Sequence, residues 1–201
     1  MIAATSTIHR NPFTTRHTRP GRLAPRDAHG EPLDLAALVA RVRRLSCAAI
    51  VGPHGAGKTN LLVTLAGRLA DAGLLAGTTR VRSWRDGGAV LRAALRAPPG
   101  STLCVDGWET LGGAWAGAIP RLATWRGVGM LVTSHSSVGW PVLARCTTTP
   151  ALLARLVADL PDHGGVIGPA DVAEAFAARG GDVREALYDL YDRFERRVRK
   201  A

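Results

Sequence analysis

Residues 52–59 read GPHGAGKT, between an apolar run at 46–51 (SCAAIV) and leucines at helical spacing. The glycines let backbone N–H groups turn toward a phosphate chain, and the first turn of the following helix adds positive potential. The spacing G-x-x-x-x-G-K-[ST] predicts that Lys58 binds the terminal phosphates and that Thr59 holds Mg²⁺ through its hydroxyl. Lys58 is one of only two lysines in the chain, yet it stands at the required position. A strand, a phosphate-binding loop and a helix are therefore predicted here.

The whole loop is predicted to surround the phosphates, because its backbone N–H groups are the anion ligands. His54 is expected to face solvent at the shoulder of the loop rather than to take part in chemistry. The predicted nucleotide-binding residues of the loop are Gly52, Pro53, His54, Gly55, Ala56, Gly57, Lys58 and Thr59.

Beyond the loop, short apolar runs alternate with helical patterns. Strands that alternate with helices indicate a parallel sheet covered on both faces. We therefore predict an α/β fold with three layers and a parallel sheet, followed by a small all-helical lid. The predicted strands are 46–51, 79–83, 102–105, 129–133 and 141–146, and helical patterns lie at 34–44, 61–69, 90–95 and 111–125.

Three segments of the chain differ in composition. Residues 1–32 are rich in Pro, Arg, Thr and His without an apolar period, which is typical of a basic tail or an extended strap over the surface. Residues 33–149 hold all the strand-like runs and are predicted to form the nucleotide-binding domain. Residues 150–201 contain helical patterns only, with Thr149 and Asp182 placed as helix caps, and are predicted to form the lid.

Composition indicates a globular chain, with 46% hydrophobic and 21% charged residues. No run of about 18 apolar residues occurs, so no membrane-spanning helix is predicted, and the first residues lack the pattern of an export signal. Cys47, Cys104 and Cys146 lie in apolar runs without a C-x-x-C pair. This arrangement favours buried thiols in a reducing compartment over disulfides or zinc. A cytoplasmic location without membrane contact is therefore expected.

The formal net charge is +10, and 24 of the 26 basic residues are arginine. The excess falls on residues 1–45 (8 basic, 3 acidic) and 46–150 (10 basic, 4 acidic), whereas residues 151–201 hold 8 basic and 9 acidic groups. A polyanionic partner such as nucleic acid would explain this surface. The codon usage of a GC-rich genome would explain the arginines equally well, so nucleic acid binding stays open.

A second strand is predicted to end in a metal-binding carboxylate. Residues 101–109 read STLCVDGWE, and Asp106 at the end of the apolar run is predicted to support hydrated Mg²⁺. An acid that polarises the attacking water would usually follow directly, but Gly107 stands there. Glu109 either reaches back from a first helical turn to take that role or stabilises a helix start through the dipole.

A third strand, at 130–135 (MLVTSH), ends in polar residues. The carboxyl ends of parallel strands meet at one edge of the sheet, so Thr133, Ser134 and His135 are predicted to emerge beside the phosphate-binding loop. His135 is the preferred candidate, because its two ring nitrogens can contact the terminal phosphate or orient water. The alternative is an ordinary polar strand end.

Together these features resemble the AAA+ branch of P-loop NTPases, from residue 34 to about residue 195. The resemblance comprises a leading helix, a Walker A loop at 52–59, a Walker B strand that ends at Asp106, a first-sensor strand and a helical lid. It implies the three-layer P-loop NTPase fold. The phrase GGDVREALYDL at 180–190 is similar to the second-sensor region of clamp-loader and replication-initiator relatives, which implies that Arg184 contacts nucleotide.

The resemblance also bears on the two ends of the predicted sheet domain. It implies that the N-terminal segment lies over the base, as linkers do in such proteins. The short link between Thr133 and Pro150 leaves little room for the usual helix before the fifth strand. An arginine finger therefore lacks its customary place, and Arg126 and Arg145 remain as candidates.

Arg184 is placed against its local electrostatics. It stands in the first turn of the last predicted helix, where the positive end of the dipole disfavours a cation by up to ~1 kcal/mol. Gly180, Gly181, Leu187 and Tyr188 occupy the positions three and four residues away, so no helical salt-bridge partner is expected. Arg184 is predicted to reach the phosphates from the lid. The alternative is a surface arginine or one paired within the lid.

The implied function is Mg²⁺-dependent ATP hydrolysis coupled to remodelling or loading of a macromolecular partner, with a homo-oligomer as one form. The alternatives are a nucleotide-gated binding module with little or no hydrolysis and, from a different class, a small-molecule P-loop kinase. An ABC-type ATPase and a GTPase are disfavoured, because neither an LSGGQ-like nor an NKxD-like signature occurs. The predicted catalytic residues are Lys58, Asp106, Glu109, His135 and Arg184, with Thr59 and Asp106 at the metal.

Overall fold

Five parallel strands form one sheet. The computed structural model describes residues 11–161 and 164–200, so parts of the predicted tail (1–10) and lid (162–163 and 201) lie outside the described residues. The strands are β1 Cys47–Val51, β2 Leu75–Arg80, β3 Thr102–Asp106, β4 Gly129–Ser134 and β5 Val142–Arg145. They run in the order β2-β3-β4-β1-β5, and every pairing is parallel. The predicted α/β class with a parallel sheet is confirmed.

The helices begin at residues that satisfy their first N–H groups. Asp34, Thr149 and Asp182 each accept a hydrogen bond of 2.9 to 3.0 Å from the backbone N–H three residues later. None of the helices in the described residues is both long and apolar enough to cross a membrane. The helices are α1 Thr15–Thr18, α2 Leu35–Arg44, α3 Lys58–Asp71, α4 Gly87–Arg96, α5 Gly113–Trp125, α6 Pro150–Ala158, α7 Pro169–Ala178 and α8 Val183–Val198.

Helices cover both faces of the sheet, which gives the three layers. Side chains of successive strand residues point to opposite faces. Ile50 of β1 packs with Leu65 of α3 on one face, whereas Val105 of β3 packs with Val90 of α4 and Ile119 of α5 on the other. All five side chains are fully buried. Burial of one such side chain stabilises the fold by roughly 1.5–3 kcal/mol.

The strand predicted at 79–83 lies earlier in the chain. β2 runs from Leu75 to Arg80, because these residues pair with β3. Its first half contains Ala76 and Gly77, which are weak strand formers. The β-branched residues that follow therefore place the predicted strand closer to the carboxyl end than the observed one.

Two connections also differ from a simple alternation of strands and helices. The pattern at 111–125 divides into a 3₁₀ turn, Trp108–Leu111, and α5, with Gly112 at φ +75° between them. No helix lies between β4 and β5, which are joined by residues 135–141. Because β1 lies between these two strands, the link starts at the carboxyl edge of the sheet, where the Gly52 N–H donates to the Ser134 carbonyl, and then crosses β1 to reach β5.

The helices α6, α7 and α8 pack around a third apolar core, which includes a residue of the N-terminal segment. Phe13 is 1% exposed there, with its ring centroid 6.4 Å from that of Phe194. Asn11 Nδ2 donates to the Tyr191 carbonyl at 3.1 Å and to the Glu195 carboxylate at 2.9 Å. Truncation of a buried phenylalanine typically costs about 3–5 kcal/mol. The N-terminal segment is therefore part of this packing.

The residues after α1 are held against α3 and α6. Asn60 of α3 accepts a hydrogen bond from the Gly21 N–H at 2.7 Å and donates to the Leu23 carbonyl at 2.9 Å. Arg26 forms an ion pair of 2.7 Å with Asp159, just beyond α6. The N-terminal segment thus connects the C-terminal helices with the layer of α3.

Candidate functional site

Lys58 is the first residue of α3, and its ammonium is buried beneath the loop that precedes it. Lys58 Nζ donates to the carbonyl oxygens of Gly52 and Pro53, at 2.7 Å each. Burial lowers the pKa of Lys58, while the charge of Glu109 opposes that shift and the Arg184 guanidinium adds to it. A bound anion would favour the charged ammonium and offset the effect of burial.

Asp106, at the end of β3, is hydrogen-bonded from two other elements. Thr59 Oγ1 of α3 donates to its carboxylate at 2.9 and 3.2 Å, and Thr133 Oγ1 of β4 donates to Oδ1 at 2.7 Å. β4 lies between β1 and β3, so Thr133 reaches Asp106 from the neighbouring strand. Arg80 Nε of β2 lies 3.6 Å from the other oxygen. The carboxylate is therefore held in one position.

Thr59 and Asp106 form an oxygen donor set that fits Mg²⁺. Mg²⁺ prefers hard oxygen ligands and usually keeps waters and substrate phosphates, so one or two protein ligands suffice. The part of the chain that the structure describes contains no group of three or more His, Cys, Asp or Glu side chains able to hold a metal. The pair therefore suits a metal bound together with phosphates rather than a metal in an all-protein cage.

Gly107 stands where an acid is usual, and the backbone explains why. Its φ is +84°, and a Cβ there would lie 2.8 Å from the carbonyl oxygen of Val81. Its N–H donates to Thr133 Oγ1 at 2.8 Å. Any side chain at this position would meet both the cost of a left-handed backbone and a clash with the neighbouring strand end. The local geometry thus disfavours a carboxylate directly after Asp106.

Glu109, in the 3₁₀ turn, contacts the residue that follows β4. Its Oε1 lies 2.8 Å from His135 Nε2, and His135 Nδ1 lies 3.3 Å from Lys58 Nζ. An ammonium can only donate, so Nδ1 accepts from Lys58 and Nε2 carries the proton donated to Glu109. His54 is exposed, and its ring centroid lies 3.7 Å from that of His135. Lys58, His135 and Glu109 therefore form one hydrogen-bonded chain.

The N-terminus of α8 packs directly against the glycine-rich loop that precedes α3. The carboxylate of Asp182, the N-cap of α8, lies so close to Gly55 that a Cβ at Gly55 would overlap it. This contact brings Arg184, two residues later, to the cavity that Lys58 also lines. The positions three and four residues from Arg184 offer no acid, as the sequence predicts, and its Nε lies 3.7 Å from the adjacent Glu185 carboxylate. Both side chains are exposed, so this pair contributes little.

A cavity of about 530 Å³ opens above the loop. Its volume falls within the roughly 300–1,000 Å³ typical of small-molecule sites. Its polar side is formed by the loop and by Asp106 and Glu109, and its apolar side includes Leu23, Leu156 and Leu187. These three leucines come from the N-terminal segment and the C-terminal helices, at opposite ends of the chain, and Leu61, Val81 and Cys146 add apolar lining from the sheet domain.

The structure brings most of the predicted site residues to this cavity. Gly52, Pro53, Arg126 and Arg145 do not line it. The carbonyls of Gly52 and Pro53 accept hydrogen bonds from Lys58, which does line it. Ser134 is fully buried and its Oγ has no hydrogen-bond partner within the described residues. The predicted residues that line the cavity are His54, Gly55, Ala56, Gly57, Lys58, Thr59, Asp106, Glu109, Thr133, His135 and Arg184.

Several lining residues carry no signal in the sequence. Arg80 is the last residue of β2, whereas the sequence predicts a strand at 79–83. Tyr188 has the pattern of an ordinary helix residue. Thr15, Thr18 and Arg19 lie in a segment without periodicity, so nothing in the local pattern places them at a site.

Comparison with known proteins finds similarity to solved structures. No family model and no curated protein matches this chain. A solved structure of C. elegans PCH-2, an AAA+ ATPase, is similar with a TM-score of 0.47 and 15% sequence identity. The likeness covers 83% of this chain and 67% of that one. A likeness of this size establishes neither family nor activity.

The geometry of Gly107 predicts a specific loss of stability. Gly107→Asp should destabilise the protein by about 1–3 kcal/mol more than Gly139→Asp, measured by urea denaturation. Gly139 is the matched control, because its φ of +77° is similar but a Cβ there meets nothing within 4 Å. Equal losses in the two variants would show that the contact with Val81 does not exclude an acid.

Proposed function

We propose that this chain is an ATP-binding P-loop NTPase of AAA+ type, which hydrolyses ATP with Mg²⁺ to remodel or load a macromolecular partner. The observation that carries the proposal is the convergence of Lys58, Thr59, Asp106 and Arg184 on one cavity. These residues belong to α3, β3 and α8, and they combine two cations with an oxygen pair suited to a metal. That combination is complementary to a triphosphate with its metal.

Each of these side chains has a role that its contacts support. Lys58 would exchange the carbonyls of its own loop for phosphate oxygens, so its buried ammonium stays hydrogen-bonded throughout. Thr59 and Asp106 would hold Mg²⁺, which when bound neutralises charge on the phosphates. Arg184 offers a planar guanidinium fork from the N-terminus of α8.

Glu109 is the carboxylate best placed to activate water. The described cavity lining contains two carboxylates, and that of Asp106 already accepts hydrogen bonds from Thr59 and Thr133. His135 donates to Glu109 and accepts from Lys58, so it acts as a positioning residue. A phosphate that draws Lys58 away would release Nδ1 of His135. The ring would thereby couple occupancy of the phosphate site to the position of the Glu109 carboxylate.

We assign the base to the apolar side of the cavity. Leu23 and Leu187 provide a surface for a flat ring, and Tyr188 adds an aromatic side chain. The N-terminal segment would then contact the base, as the family resemblance implies. Adenine is favoured over guanine because the chain has no NKxD-like segment.

The second candidate is a nucleotide-gated binding module that hydrolyses ATP slowly or not at all. Two observations favour it: Gly107 excludes an acid directly after Asp106, and Glu109 is engaged by His135. A homo-oligomer remains part of both proposals. Arg126 and Arg145 lie away from the cavity of their own chain, so either could serve only the site of a neighbouring copy.

The Walker A assignment predicts a selective loss of binding. Lys58→Ala should weaken ATP binding by at least about tenfold in calorimetry, because hydrogen bonds from the ammonium to phosphate are lost. The melting temperature should change little, since glycines make the turn. Lys200→Ala, the only other lysine, is the matched control. Parent-like ATP affinity in Lys58→Ala would exclude the assignment.

The two candidate functions differ in the behaviour of Glu109. If Glu109 activates water, Glu109→Gln should lower ATP turnover by about 10²- to 10⁴-fold with little change in ATP affinity. His135→Gln should lower turnover less and likewise spare affinity, because it only positions the carboxylate. Glu31→Gln, which alters an exposed acid that does not line the cavity, should match the parent. Turnover at the parent rate in Glu109→Gln would leave Glu109 as a structural acid.

The position of Arg184 predicts a contribution from the lid. Arg184→Ala should lower ATP affinity or turnover by at least about fivefold, because a charged hydrogen bond to phosphate is removed. Its thermal stability should equal that of the parent. Arg196→Ala is the control from the same helix, since the hydrogen bond that Arg196 makes among the described residues goes to the Asp192 carbonyl, within α8. If both variants bind and turn over ATP alike, the sensor role of Arg184 is wrong.

A further inference from the structure

The outer face of α4 and α5 is strongly basic. Arg85, in the 3₁₀ turn before α4, and Arg92 and Arg96 of α4 are spaced seven and four residues apart, so they follow one line along the outside of the helix. Arg121 and Trp125 are likewise four residues apart on α5. All five side chains are exposed. We call these residues, together with Trp84, the arginine face.

The two helices lie side by side, so the two lines form one surface. At their first turns, the Trp115 ring of α5 occupies the space that a Cβ on Gly87 of α4 would need. Beyond their last turns, the Gly100 N–H donates to the Gly127 carbonyl at 2.7 Å. The surface therefore extends over the full length of α4, about 15 Å for ten residues.

The charge of this face is not neutralised by the protein itself. Within the described residues, no carboxylate lies within 4 Å of the guanidinium of Arg85, Arg92, Arg96 or Arg121. The nearest acid in sequence, Asp86, accepts hydrogen bonds from the backbone N–H groups at 82 and 83 instead.

The C-terminal helices show that arginine content alone does not explain this pattern. There Arg179 pairs with Asp189, Arg193 with Glu174 and Asp189, and Arg197 with Asp171. A codon bias toward arginine would act on both regions alike. Within the described residues, acidic partners accompany Arg179, Arg193 and Arg197, whereas the four arginines of the arginine face have none. Arg43 and Arg44 of α2 also lack an acidic partner among the described residues, so it is the clustering of four such arginines beside exposed indole rings that indicates an anionic partner for this face.

Two exposed indole rings at the ends of the arginine face indicate which class of anionic partner it fits. Trp84 is 62% exposed and Trp125 is 78% exposed. The guanidinium of Arg85 lies 5.8 Å from the Trp84 ring centroid, a cation–π contact that supports the exposed ring. Trp84 precedes α4, whereas Trp125 ends α5, so the arginines lie between the two rings.

We propose that the arginine face binds single-stranded nucleic acid. Arginines contact the phosphates of such a strand, and exposed aromatic rings stack with its bases without regard to sequence. An anionic membrane would instead favour a continuous apolar strip that inserts between lipids. Here the exposed rings are separated by charged residues. The binding is independent of the nucleotide cavity, because none of the residues of the arginine face lines it.

The test uses the full chain, a fluorescein-labelled oligothymidylate and no added nucleotide. The oligonucleotide should be about 20 nucleotides long, enough to cover a typical site. Arg92→Glu with Arg96→Glu should weaken binding at least about tenfold at about 50 mM salt, because two phosphate contacts are lost. Each lost phosphate contact should reduce the steepness of the plot of log affinity against log salt by about 0.7, so the double variant should reduce it by about 1.4. Trp125→Ala should weaken binding about tenfold through lost stacking.

The control variant carries the same two Arg→Glu changes in the helical layer on the other face of the sheet. Arg43→Glu with Arg44→Glu alters the last turn of α2, which packs on the other face of the sheet. Its affinity for the oligonucleotide should stay within about twofold of the parent value, since no phosphate contact is lost. ATP turnover without nucleic acid should be unchanged in the α4 variant.

Three outcomes would overturn the proposal. The first is no binding by the parent protein at low salt. The second is an equal loss in the α2 control, which would indicate a general charge effect. The third is parent-like oligonucleotide binding by the α4 variant together with loss of its binding to phosphatidylserine-containing vesicles, which would identify a lipid surface instead. Failure on any of these grounds leaves the ATP proposal standing, because the binding assay contains no nucleotide.

Discussion

The carboxylate of Asp106 is the constraint on which the candidate site depends. It ends a buried strand, so it has little access to water and needs partners within the protein. Thr59 and Thr133 supply them from α3 and β4. The strand order puts β4 between β1 and β3, which lets both hydroxyls reach one carboxylate. The same few hydrogen bonds therefore hold α3, β3 and β4 together at the oxygen pair of Thr59 and Asp106.

The buried ammonium of Lys58 likewise finds its hydrogen-bond partners within the protein. Without a ligand it is hydrogen-bonded to two carbonyls of its own loop and to His135. A buried cation without partners would cost several kcal/mol. The loop therefore satisfies this buried cation with its own carbonyl oxygens. The same contacts link Lys58 through His135 to Glu109, so the polar groups around the loop behave as one network.

The two ends of the chain complete the site. Asp182 places the first turn of α8 against Gly55, and the segment after α1 is held by Asn60 of α3. Phe13 joins this segment to the core of the C-terminal helices. The apolar side of the cavity therefore depends on contacts between residues more than a hundred positions apart. A change in the packing of α8 would alter both the Arg184 side chain and this apolar surface.

The sequence by itself determined the class of fold and the central part of the site. The strands, the loop and the caps at Asp34, Thr149 and Asp182 are local signals, because spacing, glycine content and capping chemistry act within a few residues. These local signals did not predict the start of β2, because strand pairing rather than intrinsic preference places Ala76 and Gly77 in the sheet. Only the tertiary structure decided that the position of Gly107 disfavours an acid, that His135 contacts Glu109 and that the N-terminal segment lines the cavity. Each of these depends on a contact between elements distant in sequence, and no periodicity along the chain encodes the distance between two such atoms.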